Sequence, residues 1–235
     1  MRSSTPARGR FSRAGACLSV LLLLGVVPQA WAGDDVQSWV ATELVKRVTK
    51  TVDLFFRPEI RIRDDIGELF YHEFRQGVRW AATPHLGIAL NYVFARNTPS
   101  EKLRDEHTGE LDITPKGRWG PFDVSARGRV ALRQIQGSAG EQEWQWRIMP
   151  KLAYPTKLAG RAITPYVADD LFYDYTRKAF NQNRFFLGVG IPLAAPRGTT
   201  LKADLYYMLQ SQLGSVRHDW SENHVLGAAL TARFD

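Results

Sequence analysis

The chain has 235 residues, of which 31 are Lys or Arg and 24 are Asp or Glu, giving a formal charge of +7. Four arginines lie within the first 13 residues, and without them the charge falls to +3, which removes the basic character of a nucleic-acid-binding protein. The single cysteine, Cys17, lies in the same N-terminal stretch. The rest of the chain therefore has no disulfide framework, no cysteine nucleophile and no thiolate metal site.

Residues 1–32 have the organisation of a secretory signal peptide. A basic start is followed by an apolar run from Ala16 to Val27 and by the small-x-small cleavage pattern Ala30-Trp31-Ala32. The apolar run is too short to span a bilayer as a helix, which takes about 20 residues. We therefore expect residues 1–32 to be removed on export into a Gram-negative envelope.

Residues 33–50 are predicted to form an N-terminal periplasmic segment with two alternative structures. Val36, Val40, Leu44 and Val48 fit helical spacing and strand alternation almost equally well. A short amphipathic helix would keep an even number of strands in the region that follows. An extra strand would require a twelfth strand elsewhere in the chain.

From residue 51 to residue 235, apolar and charged residues alternate over segments of about eleven residues. In the first segment, Leu54, Phe56 and Ile60 share one face, while Arg57 and Glu59 share the other. Ten such segments are predicted, near residues 51–62, 70–80, 86–95, 104–116, 122–133, 143–154, 162–175, 182–193, 199–211 and 222–234. Apolar faces of this length suit hydrocarbon, where a sheet must close on itself to satisfy its backbone. The sequence predicts an all-β, transmembrane, antiparallel up-and-down barrel of about 10 strands, with 12 possible.

The predicted connections fall into two sets. Segments 83–85, 117–121, 155–160 and 194–198 carry the Pro and Gly of tight turns and are placed in the periplasm. The alternate connections, near 63–67, 97–103, 136–141, 176–181 and 212–220, would face outward. An even strand count would place both ends of the barrel in the periplasm.

Several short motifs in the second half of the chain are similar to a known family. They are Phe180-Asn181-Gln182-Asn183-Arg184 with Gly188, Pro165-Tyr166-Val167 with Leu171-Phe172, and the pair Arg127 and Arg129. With these motifs the chain resembles the proteobacterial outer-membrane family of domain of unknown function 2490, from Trp39 to the last strand. The resemblance implies a barrel and an outer-membrane location, and it implies no activity.

The charged face of the predicted strands would line the inside of the barrel. The residues predicted for this lumen are Arg57, Glu59, Arg61, Glu73, Arg75, Arg79, Arg127, Arg129, Arg133, Glu143, Arg147, Arg184 and Asp204. Small barrels are filled by their own side chains, so these residues are expected to form a salt-bridge network in a narrow lumen. The alternative is a small anion-preferring channel that uses the excess of arginine.

A second alternative is a hydrolase at the outer rim. Asp170, Asp174, His218 and Asp219 are candidates, because carboxylates paired with a histidine can activate water. The ordinary interpretation of these residues is a structural one, since Asp and His are common in loops and bind divalent ions or lipopolysaccharide there. No Gly-x-Ser-x-Gly motif supports a serine mechanism.

The sequence therefore predicts a monomer in the cell outer membrane, with no assigned activity, no cofactor and no metal. Its expected partners are outer-membrane lipid, lipopolysaccharide and, during biogenesis, the barrel assembly machinery. No nucleic acid is expected among them.

Overall fold

The computed structural model describes residues 35–98, 104–136, 142–214 and 219–235. The predicted signal peptide, residues 1–32, and the candidate residue His218 lie outside these ranges. Every regular element in the described ranges is a β-strand. No helix in them is long and apolar enough to span a lipid bilayer.

The sheet contains eleven long strands and one short one. In chain order they are β1 (Asp35–Arg47), β2 (Val52–Arg63), β3 (Glu68–Thr83), β4 (Leu86–Asn97), β5 (Arg104–Trp119), β6 (Phe122–Ile135), β7 (Glu143–Ala153), β8 (Thr156–Leu158), β9 (Arg161–Asp174), β10 (Ala179–Leu193), β11 (Thr199–Leu213) and β12 (Trp220–Phe234). Each long strand pairs with the next, β7 pairs directly with β9, and β1 pairs with β12. The short strand β8 extends the hairpin that leads into β9. The all-β barrel fold is thereby confirmed.

The pairing that closes the barrel is parallel. Asp35 lies opposite Asn223 and Lys46 opposite Phe234, whereas every other neighbouring pair is antiparallel. An up-and-down barrel with an odd number of strands brings two strands of the same direction together at its seam. The barrel is therefore mixed rather than wholly antiparallel, and its eleven long strands lie between the ten predicted and the twelve considered possible.

Residues 35–47 form strand β1 rather than a short helix. The parallel seam corrects the argument that such a strand needs a twelfth partner, because β12 already supplies the pairing. It also corrects the expected position of the ends: Asp35 and Phe234 lie at opposite ends of the barrel.

The alternation of apolar and polar residues in the sequence corresponds to the outer and inner faces of the barrel wall. Outward positions carry the apolar residues Leu54, Leu90 and Leu187, and the side chain of Leu90 is 65% exposed. Their inward neighbours, such as Phe55 and Asn91, are buried. An apolar outer surface of this extent is stable against hydrocarbon rather than water.

The tight turns lie at one end of the barrel, together with the end of β12. Gly120, Gly160 and Gly198 have φ between +57° and +78°, a left-handed conformation that favours glycine. This end is called the turn end below. The opposite end, where β1 begins and where β2 leads into β3, is called the loop end; there the Asp35 carboxylate accepts the backbone N–H of Asp64 at 2.8 Å.

Candidate functional site

The inside of the barrel encloses a cavity of about 1080 Å³, and side chains from all eleven long strands line it. The lining reaches Asp35 and Asn223 at the loop end and Lys50 and Arg233 at the turn end. It contains fifteen basic and ten acidic residues. The cavity is therefore a charged lumen with a basic excess.

Twelve of the thirteen residues predicted for the lumen line this cavity. The exception is Glu143, which lines a smaller pocket of about 350 Å³ at the loop end with Arg133 and Asp174. The predicted lumen omits Glu106 and Glu110 of β5, which line the cavity on the same inward parity as Asp112. Because the outer face of β5 has few apolar residues, the alternation in this strand only weakly indicates which side chains point inward.

The densest part of the charge network is built on β5 and β6. The Arg129 guanidinium donates to both carboxylate oxygens of Asp112, at 2.5 and 2.7 Å, and to Glu110 at 2.9 Å. Glu110 also pairs with Arg75 of β3, and the Asn91 amide donates to both acids at 3.2 Å. The side chain of Arg129 is only 4% exposed. Forked, charge-assisted contacts of this kind fix the side chains across the lumen.

Asp170 is the centre of a second part of the network. It pairs with Arg147 and with Arg127, the latter at 3.1 Å, and its side chain is 2% exposed. Its position in the interior corrects the expectation that it lies near the outer rim. A carboxylate held between two guanidiniums is a structural counterion rather than an accessible base.

The other hydrolase candidates lie elsewhere. Asp174 ends β9, where it accepts the backbone N–H groups of Thr176 and Arg177 at 2.9 and 3.0 Å. It is four strand residues from Asp170, or roughly 13 Å. Asp219 is exposed and precedes β12. The structure does not bring Asp170 and Asp174 together, and the rim hydrolase stays a prediction without geometric support among the described residues.

Aromatic side chains pack among the cations toward the loop end. The Arg61 guanidinium lies 3.7 Å from the Trp39 ring centroid and 4.0 Å from that of Tyr71. Arg184 approaches Trp39 from another strand, at 4.8 Å. Trp39 is itself buried against Met208 and Val225. Because Trp39 belongs to β1 and Val225 to β12, this packing reinforces the parallel seam.

The lumen is more open toward the turn end. Arg57 and Arg127 are 32% and 27% exposed, in contrast to the buried Arg129. The rings of Tyr166 and Tyr206 lie flat against the wall, over Gly188 and Gly227, where any Cβ would overlap them. Glycine at these inward positions keeps the rings out of the middle of the lumen.

Replacing Gly188 with valine is expected to force the Tyr166 ring away from the wall. The new side chain would overlap the ring, and such overpacking costs about 1–3 kcal/mol. Urea unfolding in detergent micelles, followed by tryptophan fluorescence, measures the loss. Gly109→Val is the matched control, since a Cβ there meets nothing within 4 Å. Equal stability of the two variants would contradict the packing of Tyr166 on Gly188.

The fold and the lumen together define a closed β-barrel with an apolar exterior and a charged interior. The chain belongs to the family described as protein of unknown function (DUF2490), whose family model matches residues 36–221. The resemblance in its sequence motifs is thereby confirmed.

Two solved structures are similar to the chain in fold. LpxR from Salmonella typhimurium matches with a TM-score of 0.44 and 10% identity, over 77% of this chain and 83% of that chain. The beta domain of the Bordetella autotransporter Brka matches with a TM-score of 0.42 and 12% identity, over 80% of this chain and 85% of that chain. Comparison with curated proteins finds no match. These similarities carry no activity over to this chain.

Proposed function

We propose that the protein is a monomeric outer-membrane barrel whose lumen is a narrow, anion-preferring path. The observation that carries the proposal is the basic excess of a cavity whose lining extends from one end of the barrel to the other. A lumen enclosed by apolar walls focuses the field of its charges, so a basic excess favours entry of anions.

The width of the path follows from the strand number and from the side chains. Barrels of eight strands are filled by their own side chains, and open porins need 16 or more. Eleven long strands lie near the narrow limit, and the network around Arg129 and Asp170 occupies part of the bore. The expected conductance is therefore small, and large solutes are excluded.

The outer-membrane location has separate support. The predicted signal peptide directs export, and the exposed apolar surface requires lipid. In barrels of this type the short turns face the periplasm. The proposed orientation places the turn end in the periplasm and the loop end outside, within reach of lipopolysaccharide.

The proposal is tested by conductance in planar bilayers. Purified protein under a KCl gradient is expected to give small current steps. The reversal potential should have the sign expected when chloride carries more current than potassium. Lys116→Glu should lower the anion preference, because Lys116 lines the cavity. Absence of current at every voltage would refute the path.

Arg118→Glu is the matched control for that measurement. Arg118 lies two residues further along the same strand, is 72% exposed and pairs with Asp123 outside the cavity lining. It changes the charge by the same amount as Lys116→Glu. An equal shift of the reversal potential in both variants would contradict selection inside the lumen.

A further inference from the structure

In the part of the lumen that is more open toward the turn end, three cations do not each have a carboxylate partner of their own. They are Arg57, Arg127 and Lys151. Arg57 donates to Glu59 at 2.9 Å, but Glu59 also accepts from Arg61 at 2.8 Å. Lys151 has no carboxylate within salt-bridge distance among the described residues, and its ammonium lies 3.6 Å from the Tyr166 ring centroid. The carboxylates that Arg57 and Arg127 contact, Glu59 and Asp170, are therefore each shared with a further arginine.

Arg127 has the same deficit. Its one carboxylate partner, Asp170, is shared with Arg147. The Arg127 Nε is buried, and the part of the chain that the structure describes offers it no hydrogen-bond partner. A buried donor without an acceptor costs free energy, and an oxygen acceptor that reaches it on binding would remove that cost.

These groups face a common space. Arg127 contacts Met149, which lies two residues before Lys151 on the same inward face of β7. Arg57 comes from β2 on another part of the wall, yet it lines the same cavity as Arg127 and Lys151. The two tyrosine rings, which line the same cavity, are held against glycines of the wall rather than across the lumen.

We infer that Arg57, Arg127 and Lys151 form a binding site for a multiply charged oxyanion that enters from the turn end. Guanidinium groups match the paired oxygens of phosphates and carboxylates, and an ammonium adds a point charge. Tyr166 and Tyr206, which line the same cavity, each carry a hydroxyl donor. A ligand can reach the site if the turn end of the lumen is open. The proposed site is therefore independent of the proposed conduction, and binding is expected even if the middle of the lumen blocks current.

Calorimetric titration of the full-length protein in detergent micelles tests the site, with inorganic pyrophosphate and citrate as probes at constant chloride. Saturable binding of either probe is expected, and the tighter of the two identifies a phosphate or a polycarboxylate ligand. Lys151→Gln should weaken that binding about tenfold or more, because it removes a charge-assisted contact. This variant leaves no carboxylate without a partner, so it is expected to fold.

Two further variants distinguish binding at this site from a general effect of the protein's positive charge. Arg57→Gln should weaken binding as Lys151→Gln does, and Glu59 keeps Arg61 as its partner. Arg118→Gln removes one charge outside the cavity lining and should leave binding unchanged. Failure of both probes to saturate, or an equal loss in all three variants, would overturn the site. Conductance of the same preparations reports on the proposed path independently.

Discussion

Asp170→Asn is expected to lower the free energy of unfolding of the barrel by about 3–5 kcal/mol. The carboxylate is buried between Arg147 and Arg127, and it is the only salt-bridge partner that either arginine has among the described residues. Without it, two guanidiniums remain in the interior, and a third, that of Arg129, belongs to the residue directly opposite Arg147 in the β6–β7 pairing. A buried charge that has lost its counterion costs more than the pair contributed. Urea unfolding in detergent micelles or liposomes measures the difference.

The control for this substitution is Asp123→Asn. Asp123 also pairs with an arginine, Arg118, at 2.9 Å, but the two side chains are 47% and 72% exposed. Solvent-exposed pairs contribute about 0–1 kcal/mol, so this variant should unfold nearly as the natural protein does. If Asp170→Asn were equally mild, the interior would be hydrated enough to replace a counterion, and the network would not hold the barrel together.

Leu90→Arg is expected to destabilise the protein in lipid by about 2–4 kcal/mol. Leu90 lies on the outside near the middle of β4, between the exposed residues Val78 and Leu111 of the neighbouring strands. A guanidinium at that position would have to leave water for hydrocarbon. In a protein surrounded by water, an arginine at so exposed a position would be nearly neutral. Unfolding from phospholipid vesicles therefore tests the membrane location directly.

Leu158→Arg is the matched substitution at the edge of the barrel. Leu158 has the same residue type and nearly the same exposure, but it lies in β8, next to a turn. An arginine near the membrane interface costs about 0–1 kcal/mol. A larger effect at position 158 than at position 90 would place the hydrocarbon layer elsewhere on the barrel.

The seam illustrates why strand number was predicted only approximately. Alternation in Val36, Val40 and Leu44 is compatible with a strand, yet the sequence contains no signal for the partner of that strand. A parallel pairing joins residues that are nearly 190 positions apart, such as Asp35 and Asn223. The seam forms because ten antiparallel pairings curve the sheet until its two ends meet, which is a property of the whole sheet.

Asp170 shows the same limit for the site. Its parity places it inside, and that much is local. Its position along the barrel axis depends on how far each strand from β6 to β10 is shifted relative to its neighbour. The structure places it beside Arg147 and Arg127 rather than at the rim. The predicted lumen omits Glu106 and Glu110 because β5 has few apolar residues on its outer face, which weakens the alternation from which inward positions are predicted.

The sequence by itself determined which face of most long strands meets lipid and which carries charge, because side chains alternate with period two and an apolar parity recurs from β2 to β12, most weakly in β5. Only the tertiary structure decided the number of strands, the parallel closure and the partners of each charge. Those features depend on how far each strand is shifted along its neighbour, and this shift is set by the closed sheet as a whole rather than by any one segment.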